Sequence, residues 1–226
     1  MKPEKNIRMS ECFITVVFLV LSGGFQDAYT YFMRNHVFSN AQTGNLVIMG
    51  ERFMTGRWRE GLMYLFPLCS FALGVIVAEQ FEGHFSKTKS ISWWQGIVLM
   101  EMLILFVVGF MPEKLNTIAT SMVSFSCAMQ VQSFRKVNNY PYASTMIIGN
   151  MRSAASSLSE YIRNRNREVL KRSATYFGII FVFFIGAGFG GVLSPKIGMG
   201  AIWISDILLF IAFLLMFEKN NKNGES

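Results

Sequence analysis

The sequence predicts an all-α integral membrane protein. It reads as two tandem four-segment repeats, with six clear transmembrane helices and two more polar, Gly-Asn-containing segments. Three observations carry that reading. Of 226 residues, 52% are hydrophobic and 15% charged, against ~25% charged in soluble domains. The apolar residues are gathered into runs, and Gly61 to Ala78 holds 18 residues without a charge, long enough to read as a span. Polar residues inside such runs also recur at an offset of 105 residues. A soluble globular enzyme, a secreted disulfide scaffold and a disordered regulator are excluded.

The first span is Cys12–Phe32. Lys2, Lys5 and Arg8 precede it, and Ser22-Gly23-Gly24 follow its apolar start, superficially like a cleavable signal. The run continues past the small residues and more spans follow, so it reads as a retained helix. Gly61–Glu79, Ser92–Met111, Leu115–Phe134, Ser173–Leu193 and Gly198–Phe217 are the other clear spans. Each has roughly 20 residues, enough to cross ~30 Å as a helix. Ser39–Met54 and Ala143–Tyr161 are more polar; both contain Gly-Asn and both precede a basic loop. The polar tail Phe217–Ser226 reads as frayed.

At the offset of 105, Ser39-x4-Gly44-Asn45 falls on Ser144-x4-Gly149-Asn150, Asp27 on Gln132 and Glu101 on Asp206. The repeats run over 12–111 and 115–217 of a single membrane domain. If the Gly-Asn segments cross, there are eight spans in parallel halves. If they only dip in, there are six spans in inverted halves. With the N-terminus inside and Arg152 left aside, both schemes put 14 Lys and Arg inside and 6 outside. The dense basic loops (Arg52, Arg57 and Arg59; Arg163 to Arg172) favour eight, because only parallel halves place both in the cytoplasm.

The net charge of +7 belongs to loops between spans, so no nucleic-acid partner is expected. Cys12, Cys69 and Cys127 sit in apolar segments without a CxxC neighbour; neither a disulfide framework nor a metal site is expected. His36 and His84, the only histidines, lie in loops. With no HExxH, GxSxG or Walker loop, the expectation is a protein without enzymatic activity, catalytic residues or cofactors.

Chemistry is expected at the ionisable residues within spans. Glu101 and Asp206 lie near the middle of their segments. An acid in low dielectric exchanges its proton as its surroundings change, so a pair suits proton or cation coupling; the alternative is hydrogen-bonded glue between helices. Asp27 is a third candidate coupling carboxylate, or an interfacial acid reaching headgroup water. Gln26 adjoins it and Gln130 lies near its repeat mate Gln132, and all three are expected on the substrate path. Asn40, Thr43, Gly44 and Asn45, with Gly149 and Asn150, mark a helix start or break and line the expected substrate path; tight packing and capping are the alternative. Arg152 either pairs with an acid, holds an anionic solute or snorkels to the interface. Trp58, Trp93, Trp94, Trp203, Tyr140 and Tyr142 read as an interfacial belt. Gly186-x3-Gly190 reads as a close-packing motif.

Gly24-Phe25-x-Asp27-Ala28, His36-Val37-Phe38 and Asn40-x2-Thr43-Gly44-Asn45 resemble the YoaK family of bacterial multi-pass membrane proteins, domain of unknown function 1275. The segment spacing fits across nearly the whole chain. In the second half that family tends to read Gly-x-Gln-Asn-Ala, where this chain has Gln130-Val131-Gln132-Ser133-Phe134. Its usual Thr-Gly-Thr stands here as Ile148-Gly149-Asn150. The resemblance implies a bacterial cytoplasmic-membrane protein and supplies no substrate.

The functional expectation is a small permease, cytoplasmic at its N-terminus, moving an unidentified small solute across the lipid bilayer with proton or cation coupling. A non-transporting accessory or sensor protein is the rival. A carrier this small is compatible with a homo-oligomer, though no residue pattern specifies one.

Overall fold

The computed structural model describes residues 8–85 and 93–217. The expected start of the third span at Ser92 and most of the polar tail lie outside the described residues. Eight helices are described: α1 Phe13–Met33, α2 Gln42–Met54, α3 Trp58–Phe85, α4 Trp93–Gly109, α5 Asn116–Ser133, α6 Ile147–Asn164, α7 Arg167–Ile197 and α8 Trp203–Phe217. A two-residue hairpin, Lys136–Val137 with Tyr140–Pro141, follows α5. The chain folds as an all-helical, multi-pass membrane protein.

Of the six segments expected as clear spans, four are long and apolar enough among the described residues: α1, α3, α7 and Met199–Phe217. Helix α4 is apolar but only 17 residues long. Helix α5 departs from expectation because it is polar along its length, from Asn116 through Ser124 and Ser126 to Gln130. Those groups are buried within the bundle, where partners can be met and an apolar face is not required.

Hydrogen bonds fix the direction of each helix. At one end, the Arg34 side chain joins the finish of α1 to the finish of α4 and the start of α5. Tyr29 donates there to Met199 O, between α7 and α8. At the other end, Trp94 of α4 donates to Ser133 O of α5, Arg135 pairs with Glu79 and Glu82 of α3, and Asn138 N–H reaches Glu11 O ahead of α1. Helices α1, α4 and α7 therefore run one way, and α3, α5 and α8 the other.

Two close crossings hold this frame. Helix α1 lies parallel to α7: a Cβ on Gly24 would meet Phe183 O, one on Gly186 would meet Leu21 O, and one on Gly190 would lie 2.7 Å from Phe25 O. Gly186-x3-Gly190 is thus a backbone-contact motif, as expected. Helix α3 lies parallel to α5, where a Cβ on Gly74 would meet Phe125 O. Helix α1 also packs on α8, as α5 packs on α4.

The two Gly-Asn helices are shorter in reach. Helix α2, 13 residues or about 20 Å, starts beside the middle of α5, where Gln42 Nε2 donates to Ser124 Oγ at 2.8 Å. It ends beside the first turn of α3, where Arg52 pairs with Glu60. Gly56, at φ 77°, makes the intervening turn. Helix α6 starts beside the middle of α1, with Thr145 against Gly23. It ends beside the start of α7, where Arg172 pairs with Glu160. Its turn uses Arg165 at φ 52° and Asn166, whose side chain accepts from Glu168 N–H and caps α7. Both helices thus start at mid-bundle and return to the end from which their segment came. The two basic turns therefore lie at opposite ends of the bundle.

The aromatic belt holds only in part. Trp58 is exposed, whereas Trp93 and Tyr142 are buried, and Trp203 donates to Phe106 O.

Candidate functional site

The starts of α2 and α6 meet the middles of α1, α4 and α5, and most of the polar candidates converge there. The two starts are built alike. Asn45 Nδ2 donates to Phe38 O at 2.7 Å and its Oδ1 accepts from Phe38 N–H at 3.0 Å. Asn150 Nδ2 donates to Ala143 O at 2.8 Å and its Oδ1 accepts from Ala143 N–H at 3.5 Å. Each Asn therefore clamps the backbone of the residue seven positions upstream of itself. The preceding residues match too: Ala41 has φ −78° and ψ 62°, Met146 φ −87° and ψ 77°. The Asn residues satisfy backbone groups ahead of the helix. Both side chains are committed to these backbone groups.

Asp27, on α1, seats the first of these starts. Its Oδ1 accepts from Asn40 N–H at 2.9 Å and from Ser39 Oγ at 3.3 Å. Thr30 Oγ1 accepts from Ser39 N–H at 3.1 Å, and Asn40 Nδ2 donates to Gly23 O at 3.3 Å. A carboxylate facing the N-terminal turn of α2 is placed favourably for the helix dipole. Asp27 is buried, so the reading of an interfacial acid reaching headgroup water is corrected.

Glu101 is wholly buried. Gln26 Nε2 donates to its Oε1 at 3.0 Å and to Ser22 Oγ at 2.9 Å. Cys127 Sγ donates to Gln26 Oε1 at 2.8 Å. With the Gln130 amide oriented so that both its ends are satisfied, Nε2 donates to both Glu101 oxygens at 3.1 Å and Oε1 accepts from Ser144 Oγ at 3.1 Å. Two amides thus converge on one carboxyl from α1 and α5, and the lead-in to α6 supports the second.

Asp206 follows Ser205 on α8. Both of its carboxyl oxygens are buried without a hydrogen-bond partner. Ser22 Oγ reaches Ser205 O at 3.5 Å, which ties α8 to the same face of α1.

Other candidates lie elsewhere. Gln132 bonds Glu79, beside Arg135 at the end of the bundle. Its pairing with Asp27 by offset does not place the two together; Gln130 is the residue that acts beside Gln26. Arg152 is exposed on α6, and Thr43 and Gly149 are also exposed. A Cβ on Gly149 would meet nothing within 4 Å. Gly44 packs on the Phe38 ring.

Sequence reasoning missed Arg34, which is 0% exposed. Nε and Nη2 donate to Tyr29 Oη at 3.0 and 2.8 Å, Nη2 also to Val108 O, and Nη1 to Met111 O and Asn116 Oδ1, each at 2.9 Å. All five guanidinium N–H groups are used, none on an acid. The carbonyls of Val108 and Met111 lie at the negative end of α4. In sequence, Arg34 has the look of an ordinary loop cation after a span.

The chain matches the family described as protein of unknown function (DUF1275) over residues 15–215. It is 25% identical over 216 residues to the UPF0700 transmembrane protein YoaK of Bacillus subtilis (strain 168), covering 92% of this chain and 94% of that one. No solved structure matches. The chain belongs to the DUF1275 family.

Proposed function

We propose that this DUF1275 protein is a small permease of a bacterial cytoplasmic membrane, with six spans, inverted halves and a proton- or cation-coupled central site. Helices α1 to α4 form one half and α5 to α8 the other; α2 and α6 are half-depth helices entering from opposite sides. The matched Asn45 and Asn150 clamps support the repeat. The opposite directions of α1 and α5 support the inversion. With the N-terminus in the cytoplasm, this arrangement puts 14 Lys and Arg inside and 6 outside, Arg152 left aside.

One observation carries the transport reading: both half-helices start at a buried cluster holding Asp27 and Glu101, with Asp206 nearby. Broken or half-depth segments in corresponding halves mark solute and ion sites in carriers, and intramembrane acids mark coupling. In this reading Gln26 and Gln130 hold Glu101 in place while it exchanges a proton, with Asp206 as the second coupling acid. The protein has no enzymatic role and uses no cofactor.

The test is proton movement in proteoliposomes. A pH dye is loaded inside, a panel of small metabolites and cations is added outside, and the Glu101→Gln/Asp206→Asn protein is run alongside. A solute-dependent pH change lost in the double variant is the expected result. Silence across the panel with folded protein, or a change that survives in the double variant, overturns the mechanism and leaves an accessory or sensor role.

A further inference from the structure

We infer that the central site takes a small monocation bearing N–H groups, of the ammonium class, held at Asn40 and Asp27 beside Cys127. This rests on the carrier reading above and names the class of its solute.

The charge balance comes first. Asp27 and Glu101 are buried, and their side-chain hydrogen bonds come from Gln26, Gln130, Ser39 and the Asn40 backbone. No cation is among these donors. Arg34 is the only Lys or Arg buried among the described residues, and its five N–H groups are committed elsewhere. Asp27 and Glu101 therefore sit with no protein cation beside them, so an entering cation meets no competing positive charge.

The second observation is independent of the acids. Asn40 is 8% exposed, and its Oδ1 is buried with no hydrogen-bond partner. Its amide orientation is fixed by Gly23 O and Ser39 Oγ, which accept from Nδ2. The open atom is therefore an acceptor. Asn40's neighbour Ser39 accepts from Ser124 Oγ, one turn before Cys127 on α5, and Cys127 Sγ donates to Gln26 and so faces the Glu101 cluster. A buried acceptor without a donor calls for an N–H or O–H from the occupant.

The remaining acceptors select the kind of cation. Hard metal ions take about six oxygen ligands. Here Asp27 Oδ1 already accepts two protein donors, and Gln26 and Gln130 cover Glu101. Among the described residues no three His, Cys, Asp or Glu are grouped to hold a metal ion. One directional acceptor beside an acid suits an ammonium group better than a metal shell.

The test is equilibrium binding of radiolabelled methylammonium to the purified full-length protein, without a proton gradient, with sodium, potassium and acetate as competitors. Wild type binds and none of the three competes at equal concentration. Asn40→Leu weakens binding by about ten-fold or more, whereas Asn40→Asp, which keeps an acceptor and adds charge, binds at least as tightly. The inference is overturned by absent binding at about 10 mM, by equal competition from sodium or potassium, by unchanged binding in Asn40→Leu, or by weakening in Asn40→Asp. Melting curves confirm that each variant is folded; if Asn40→Leu is not, Asn40→Asp carries the test. The carrier reading is judged separately: proton-coupled flux of some other solute leaves it standing when methylammonium fails.

Discussion

Gln26 donates its side-chain amide to Glu101 at 3.0 Å, and both residues are wholly buried between α1 and α4. Removing the donor alone leaves a buried acceptor short of a partner. Gln26→Leu should lower unfolding stability by about 1–3 kcal/mol. The double variant Gln26→Leu/Glu101→Leu should lose less than the two single variants summed, because both partners go together. Thermal unfolding in lipid nanodiscs reads all three; strict additivity would mean the two side chains do not support each other.

Arg34 makes a stronger claim on stability. Arg34→Met takes the donor from two carbonyls at the end of α4 and from Asn116 Oδ1, at about 1–3 kcal/mol for each acceptor left unpaired. Arg34→Lys should not restore the loss. An ammonium offers three donors where the guanidinium fills five places in a fixed plane. Full recovery of the melting temperature in Arg34→Lys would show that charge alone is needed there.

The glycines divide into two groups. A Cβ at Gly74 or Gly186 would run into a backbone carbonyl of the neighbouring helix, whereas at Gly149 or Gly188 it would meet nothing within 4 Å. Gly74→Ala and Gly186→Ala should each force the crossing apart and destabilise by about 1–3 kcal/mol. Gly149→Ala and Gly188→Ala should be neutral or gain up to about 1 kcal/mol from helix propensity. Equal effects at all four positions would contradict the parallel α1–α7 and α3–α5 crossings.

The sequence shows these relationships unevenly. Helix positions were legible because apolar runs and polar interruptions are one-dimensional signals. Glu101, Gln26 and Gln130 were legible for the same reason, being polar inside apolar segments. What was hidden depends on the third dimension. Asp27 and Gln132 match by offset, yet residues two apart on a helix point about 200° apart, so Gln130 faces Gln26's carboxyl partner while Gln132 faces Glu79. Arg34 was hidden because a cation two residues past a span has the same pattern whether it faces water or folds back under the helix ends. The depth of α2 and α6 was hidden because hydropathy gives a segment's length and composition but not the level at which it starts.

That depth is open to a direct measurement. In a background with Cys12, Cys69 and Cys127 replaced by Ala, single cysteines are placed at Thr55 in the α2–α3 turn and at Arg165 in the α6–α7 turn. Intact spheroplasts are then treated with a membrane-impermeant maleimide. Six spans with inverted halves put Thr55→Cys outside and Arg165→Cys inside, so only the first should label before lysis and both after it. Eight spans with parallel halves put both turns in the cytoplasm, and neither would label before lysis. The physical stake is the location of Arg52, Arg57 and Arg59. Cytoplasmic basic residues are favoured whatever acids stand near them, so an outward basic turn must be outweighed elsewhere. The α2–α3 turn carries Arg52, Arg57 and Arg59, whereas the α6–α7 loop carries Arg163, Arg165, Arg167, Lys171 and Arg172. The larger group holds its end in the cytoplasm, so labelling should place the α2–α3 turn outside despite its arginines.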